Sequence, residues 1–201
     1  MNAPAMHGAG PSSLALSGRE IIVGVSGGIA AYKAAALVSQ LVQAGAGVSV
    51  VLTAAGQKFI GAATFAALTA RPVLTDVFDE QQHPLGAHIE LARQAELLCV
   101  APATANFLAH AAQGLAGDLL SALYLSCTCP VLLAPAMNCE MWAKPAVERN
   151  VARLEADGVQ FVGPEEGWLS CRTLGLGRMA APEKIFAKIA ERLQDAGSRT
   201  V

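Results

Sequence analysis

The stretch IIVGVSGGIAAYK, residues 21–33, decides the fold. Ile21 to Val25 is an apolar run of strand length, and Ser26-Gly27-Gly28 ends it as a turn. Good helix formers follow from Ile29 to about Ala44. Strand, glycine turn and helix in that order begin a βα unit, and the chain then repeats the alternation. Val48–Leu52, Leu97–Ala101, Val131–Ala134 and Val159–Val162 read as further buried strands. Helices are expected over Phe59–Leu68, about 104–126, 140–157 and 182–195. The last opens with Pro182 in its first turn and Glu183 behind it. The reading is a single-domain, Rossmann-like (flavodoxin-like) α/β fold, a parallel sheet with helices on both faces. In such sheets ligands bind beyond the carboxyl ends of the strands, so the residues after each strand carry the chemistry.

Composition bounds the rest. The chain has 201 residues, 53% hydrophobic and 15% charged, with net charge −2. That is one domain with ample core material, expected over 19–197. The apolar excess is either buried between subunits or simply the mark of an alanine-rich chain. No basic stripe points to nucleic acid. No apolar stretch reaches a membrane-spanning length. Residues 1–18, rich in Ala, Gly, Pro and Ser, lack the pattern of a secretory signal and read as a disordered leader. The five cysteines show no zinc-site spacing, and with no export signal they read as reduced thiols in a cytosol. Cys99 reads as a small buried hydrophobe, whereas Cys171 lies in the glycine-rich, turn-like SCRTLGLGRM.

The turns after the strands point to a nucleotide-like ligand. Ser26-Gly27-Gly28 lets backbone N–H groups approach an anion at a helix start, although many such loops are only tight turns. It is neither the dinucleotide fingerprint nor a Walker A sequence. Thr53 stands after the second strand where an NAD site carries Asp or Glu, which argues against NAD; it is compatible with a mononucleotide phosphate, or equally with an ordinary strand end and a helix cap. Thr104 and Asn106 follow the third strand, where small residues admit a flat ring; helix capping by Thr104 is the plainer alternative. After the fourth strand comes PAMNCEMW, 135–142, in which Asn138 reads either as a helix cap or as a ligand. His88 precedes the third strand, His83 sits in a polar loop, and His110 falls on a helix with no polar neighbourhood to recommend it. These residues alone reach a mononucleotide-binding α/β domain.

Five segments together carry more. SGGIAAYK at 26–33, His88 with Ile-Glu-Leu behind it, APATAN at 101–106, PAMNCEMW at 135–142 and SCRTLGLGRM at 170–179 resemble the phosphopantothenoylcysteine decarboxylases. These are homo-oligomeric flavin-containing cysteine decarboxylases, and the resemblance covers about residues 19–195. It implies FMN, contacted by Ser26, Gly27, Gly28, Ile29, Thr53, Phe59, Thr104, Ala105, Asn106 and Ala136. It implies His88, Asn138 and Cys171 as catalytic residues and Met137, Asn138, Ser170 and Met179 as substrate contacts, with no metal. The implied substrate is 4′-phosphopantothenoylcysteine, and the implied assembly is a trimer or a dodecamer of trimers with sites near subunit interfaces. A phosphopantothenate–cysteine ligase domain or protein is a possible companion. Oxidation beside sulfur would place a thioaldehyde β to the carboxylate, CO2 would leave, and a returned hydride plus a proton would give the saturated product. His88 would act first, Asn138 would orient the carboxylate, and Cys171 would give the proton.

One departure stands out. The family commonly has Gly-Asp after this cysteine, and this chain has Arg172-Thr173. The Arg172 charge is expected to lower the thiol pKa. Alternatives on the same fold are a decarboxylase of C-terminal peptide cysteines, which usually lacks the Cys171 loop, and a flavin prenyltransferase, which PAMN and that loop fit poorly. A non-catalytic flavin-binding regulatory subunit would typically have lost the histidine or the asparagine.

Overall fold

The computed structural model describes residues 15–77 and 86–197. Five parallel strands form one sheet in the order β2-β1-β3-β4-β5. They are β1 (Glu20–Val25), β2 (Gly47–Leu52), β3 (Leu97–Ala103), β4 (Val131–Pro135) and β5 (Gln160–Phe161). β3 is buried at every residue, as a continuous apolar run in a doubly covered parallel sheet should be. Right-handed crossovers need helices, and these divide between two faces. α1 (Ala31–Gln43), α2 (Ala62–Thr69) and α8 (Pro182–Gly197) cover one face, where Leu37, Leu41, Phe65 and Ile189 meet Val23, Val50 and Cys99. α3 (Ala87–Gln94), α4 (Ala105–Gln113), α5 (Leu119–Ser126) and α7 (Pro145–Ala156) cover the other, packing Leu91, Leu108, Leu123 and Leu154 against Val51, Leu98 and Leu133. Cys99 is fully buried, and burial pushes its thiol up to about 12.

Several expectations change in detail. The helix read over 104–126 is two helices. Gly114 ends α4 in the left-handed region (φ 68°), and Asp118 restarts the chain by accepting from the Ser121 N–H in a capping box. The helix read over 140–157 also divides, into α6 (Cys139–Trp142) and α7, because Pro145 is a first-turn residue that cannot continue a helix. His88 lies within α3, a helix that its short, weakly periodic stretch did not announce. SCRTLGLGRM, read as turn-like, supplies β7 (Leu174–Arg178) of an antiparallel hairpin with β6 (Glu165–Trp168). The stretch read as a leader reaches into the core, since Leu16 is buried and its N–H donates to the Ala44 carbonyl at 2.9 Å. His7, His83 and residues 1–14 lie outside the described residues. Among the described residues no helix is long and apolar enough to cross a membrane.

Candidate functional site

The carboxyl ends of β1, β2, β3 and β4 open into one cavity of about 800 Å3. Its floor is fastened by hydroxyls. Ser26 is buried; its Oγ donates to the Pro102 carbonyl at 2.7 Å and accepts from the Thr104 N–H at 3.1 Å. Thr104 Oγ1 lies 3.0 Å from Ser26 Oγ and caps α4 by accepting from the Phe107 N–H. Thr53 Oγ1 accepts from the Gly56 N–H at 3.0 Å and lies 3.4 Å from the Val25 carbonyl. Two of these hydroxyls therefore stitch the β1 loop to the β3 loop, and the third holds the β2 loop. Gly27 has to be glycine, because a Cβ there would lie 2.8 Å from the Ala55 carbonyl carbon. Between these fastened loops the surface facing the cavity is small: Gly27, Gly28, Ala54, Ala105 and Ala136, with Asn106 as a polar edge.

The opposite wall is formed by the loop after β4 and by the β6–β7 hairpin. Asn138 precedes α6 in extended conformation, and its Oδ1 accepts from the N–H groups of Glu140 (2.7 Å) and Met141 (3.2 Å). The cap reading of Asn138 is the one observed: its oxygen is spent on α6, which leaves the Nδ2 donor outside the cap. That donor reaches Cys171 Sγ at 3.4 Å. Cys171 is exposed in the turn of the β6–β7 hairpin, with Thr173 Oγ1 3.0 Å from its sulfur. The Thr173 hydrogen bond, and after it the Asn138 one, hold the thiol below its ordinary pKa. The direction expected from Arg172 is present but its cause is different, since the guanidinium is not among the groups that act on this thiol. The hairpin is seated on the 135–142 loop, where the Met137 N–H donates to the Gly177 carbonyl at 3.0 Å. This holds residues 33 apart in sequence side by side.

Ser26, Gly27, Gly28, Ile29, Thr53, Thr104, Ala105, Asn106, Ala136, Met137, Asn138, Ser170, Cys171 and Met179 all line this cavity. Phe59 and His88 are absent from its lining. Phe59 follows a short 3-10 turn and is half exposed. His88 sits in the first turn of α3 with its Nδ1 buried and, among the described residues, without a hydrogen-bond partner. Other lining residues went unassigned in the sequence reading. Lys33 donates from Nζ to the Met179 carbonyl at 3.1 Å, tying α1 to the end of the hairpin. Burial, and then the Arg178 charge, hold its pKa below the ordinary lysine value. Trp168 and Arg178 come from the hairpin strands, and His110 and Asp118 from the α4–α5 junction. His110 stands one helical turn beyond Asn106, a spacing that puts both on one face and was legible as a signal.

Comparison with known proteins places these features. A family model described as Flavoprotein matches residues 10–194. The coenzyme A biosynthesis bifunctional protein CoaBC of Bacillus subtilis (strain 168) is 48% identical over 177 residues, covering 88% of this chain and 43% of its own length. The CoaBC protein of Mycobacterium tuberculosis (strain ATCC 25618 / H37Rv) is 50% identical over 167 residues, covering 83% of this chain and 40% of its own length. The chain therefore spans less than half of the curated relatives it matches. Among solved structures, the FMN-dependent cysteine decarboxylase SpaF superposes with TM-score 0.78 at 33% identity, covering 90% of this chain and 99% of that one. A PPC decarboxylase mutant complexed with pantothenoylaminoethenethiol superposes with TM-score 0.77 at 30% identity, covering 85% of this chain and 96% of that one.

Proposed function

The chain belongs to the flavoprotein family, and from that premise we propose that it binds FMN and decarboxylates the cysteine of 4′-phosphopantothenoylcysteine to give 4′-phosphopantetheine. One observation carries this reading: an amide donor and a pKa-lowered thiol meet at 3.4 Å on the wall of a cavity otherwise lined by glycine and alanine loops. The cavity is large enough for a flavin together with an acyl-cysteine. The donor set fits FMN. Ser26, Thr53 and Thr104 are already hydrogen-bonded within the protein, so the group would be held mainly by the backbone of Gly27, Gly28 and Ile29, with Asn106 at its edge. When bound, FMN supplies hydride removal from, and hydride return to, the carbon bearing sulfur.

The chain's own residues do the rest. The Asn138 Nδ2 hydrogens fix the substrate carboxylate, and the spent Oδ1 keeps that amide from turning over. After CO2 has left, Cys171 gives its S–H proton to the carbon that lost it. The lowered thiol pKa makes this transfer easier. His88 assists the first oxidation, and because it lies outside its own chain's cavity it does so in a neighbour's. The assembly is accordingly a homo-oligomer. The free thiols suit a reducing cytosol. A phosphopantothenate–cysteine ligase domain or protein is the partner this reading calls for, and the chain's relatives are named as bifunctional proteins of coenzyme A biosynthesis.

A second reading is decarboxylation of a C-terminal peptide cysteine, which shares the FMN-dependent cysteine decarboxylation for which SpaF is named. The Cys171 turn distinguishes the two, because only a saturated product needs that proton. The test is mass spectrometry of products after anaerobic incubation of FMN-loaded protein with 4′-phosphopantothenoylcysteine. Saturated phosphopantetheine is expected. An unsaturated thiol would transfer the site to the peptide class, and unchanged substrate with FMN bound would sink the decarboxylase reading.

A further inference from the structure

The turn that carries Cys171 is closed on both sides. The Leu169 N–H donates to the Thr173 carbonyl and the Arg172 N–H to the Leu169 carbonyl, each at 2.9 Å. This closure places residue 173 beside residue 171, and the stiff β-branched side chain of Thr173 keeps its hydroxyl there, 3.0 Å from Sγ. The thiol has two side-chain partners, and they are not equivalent. Asn138 Nδ2 is also the donor assigned to the substrate carboxylate, so an arriving substrate draws on it. Thr173 Oγ1 has no such second duty, and it stays with the sulfur throughout the reaction. A hydroxyl also suits both states of the sulfur, since it accepts from S–H and donates to a thiolate.

We propose that Thr173 is the positioning residue for Cys171, its hydroxyl holding Sγ where the S–H proton reaches the carbon that has lost CO2. The proposal rests on the reading of Cys171 as proton donor. In that step the S–H bond breaks and a C–H bond forms. The S–H electron pair stays on sulfur, the Thr173 O–H turns to donate to the resulting thiolate, and water returns the proton. Hydrogen bonds from Thr173, then from Asn138 and the turn's own backbone, act on the thiol against desolvation, and no charged side chain is among these causes.

The experiment uses the FMN-loaded protein with Thr173→Val, Thr173→Ser and Arg172→Gly. One readout is the pH midpoint of Cys171 alkylation without substrate, followed on its own peptide by mass spectrometry. The other is the ratio of saturated to unsaturated thiol product, with CO2 release measured alongside. For Thr173→Val the alkylation midpoint should rise and the product ratio should shift about tenfold toward the unsaturated thiol, the loss expected of one hydrogen bond to the reacting group. In a single turnover CO2 release should stay at the parent rate, since a chain that lets go of the unsaturated thiol keeps its flavin reduced. Thr173→Ser should restore both readouts, and Arg172→Gly should leave the midpoint unchanged. A Thr173→Val protein with parental midpoint and ratio overturns the proposal, as does a Thr173→Ser protein that behaves like it. If the parent releases no CO2, the decarboxylase reading fails, and the alkylation midpoint alone then decides the Thr173 contact.

Discussion

Arg172 holds φ at 64°, a left-handed conformation that non-glycine residues adopt at a cost of about 1–2 kcal/mol. The turn keeps its shape in spite of this residue, which explains how Arg172-Thr173 fits where the resembling sequences have Gly-Asp. Replacing Arg172 with Gly relieves the strain but restores glycine's unfolded-state freedom, so the net gain should be up to about 1 kcal/mol. Urea denaturation of the two proteins measures it, and a destabilised variant would mean that the guanidinium makes contacts that matter more than the backbone. The division of labour within Asn138 gives a second expectation. Asn138→Asp keeps an oxygen for the α6 cap but removes the Nδ2 donor. It should retain the parent's Tm within about 2 °C and lose about 10²-fold or more in kcat for CO2 release. Asn138→Ala loses both roles and should in addition be destabilised by about 1 kcal/mol. Equal stability of all three proteins would show that the cap contributes nothing. At this scale the sequence singled out Asn138 and Cys171, which the structure places together, but left their duties open. Whether Asn138 caps or binds turns on which end of an amide faces a helix, which no pattern in a linear sequence records.

Among the elements, the loops that meet at Gly27 have the least room. A Cβ at Gly27 would enter the backbone of Ala55, and backbone cannot swing aside as a flexible side chain does. Gly27→Ala should therefore leave the fold intact while separating the β1 and β2 loops and weakening FMN retention, read as flavin absorbance per chain after gel filtration. Gly61→Ala is the control, since its Cβ would meet nothing within 4 Å and Gly61 does not line the cavity. Equal retention by the two variants would remove the close approach from the account of the site. The βα units were legible because a parallel strand buried on both faces is a continuous apolar run, and β3 is the clearest case. The hairpin of β6 and β7 was not. Leu174 and Leu176 are exposed and alternate with glycine, so the period-two signal has no buried face behind it. The hairpin is positioned by the Met137–Gly177 bond and by contact with α6. These are tertiary relations, and Trp168 and Arg178 stayed invisible as cavity residues along with them. The breaks after α4 and α6 were written in Gly114 and Pro145, residues whose punctuation the helical periodicity around them obscured.

Across the whole molecule, one end of the sheet holds the site and the other is tied by ion pairs. At the amino ends of the strands Arg71 meets Glu20 through two bonds, at 2.6 and 2.8 Å, and Arg19 meets Glu96 at 2.6 Å. The Arg71 guanidinium holds the Glu20 carboxyl below its ordinary value of 4.5. A carboxyl depressed in the folded chain favours folding above that ordinary value, and the contribution is lost as pH falls below it. Solvent screens this half-exposed pair, so the effect should be small. The Tm of the parent should decline more steeply below pH 4.5 than that of Glu20→Gln, and parallel declines would exclude the pair as a cause. At the other end, the role proposed for His88 would make the site a property of more than one chain. Asn138 and Cys171 share a cavity that His88 of the same chain does not line. If each working site takes Asn138 from one chain and His88 from its neighbour, His88→Asn and Asn138→Asp remove different halves of it. Each variant alone should be inactive. Co-expressed in equal amounts they should regain activity, because about a quarter of the sites in randomly mixed oligomers combine an intact Asn138 with an intact neighbouring His88. Oligomers carrying both substitutions on the same chain, co-expressed with the parent, give the comparison for dilution alone. Recovery near a quarter of the parental CO2 release places His88 across a subunit boundary. No recovery, with mixed oligomers verified by mass spectrometry, would put the whole site within one chain and require α3 to move toward the cavity when substrate binds.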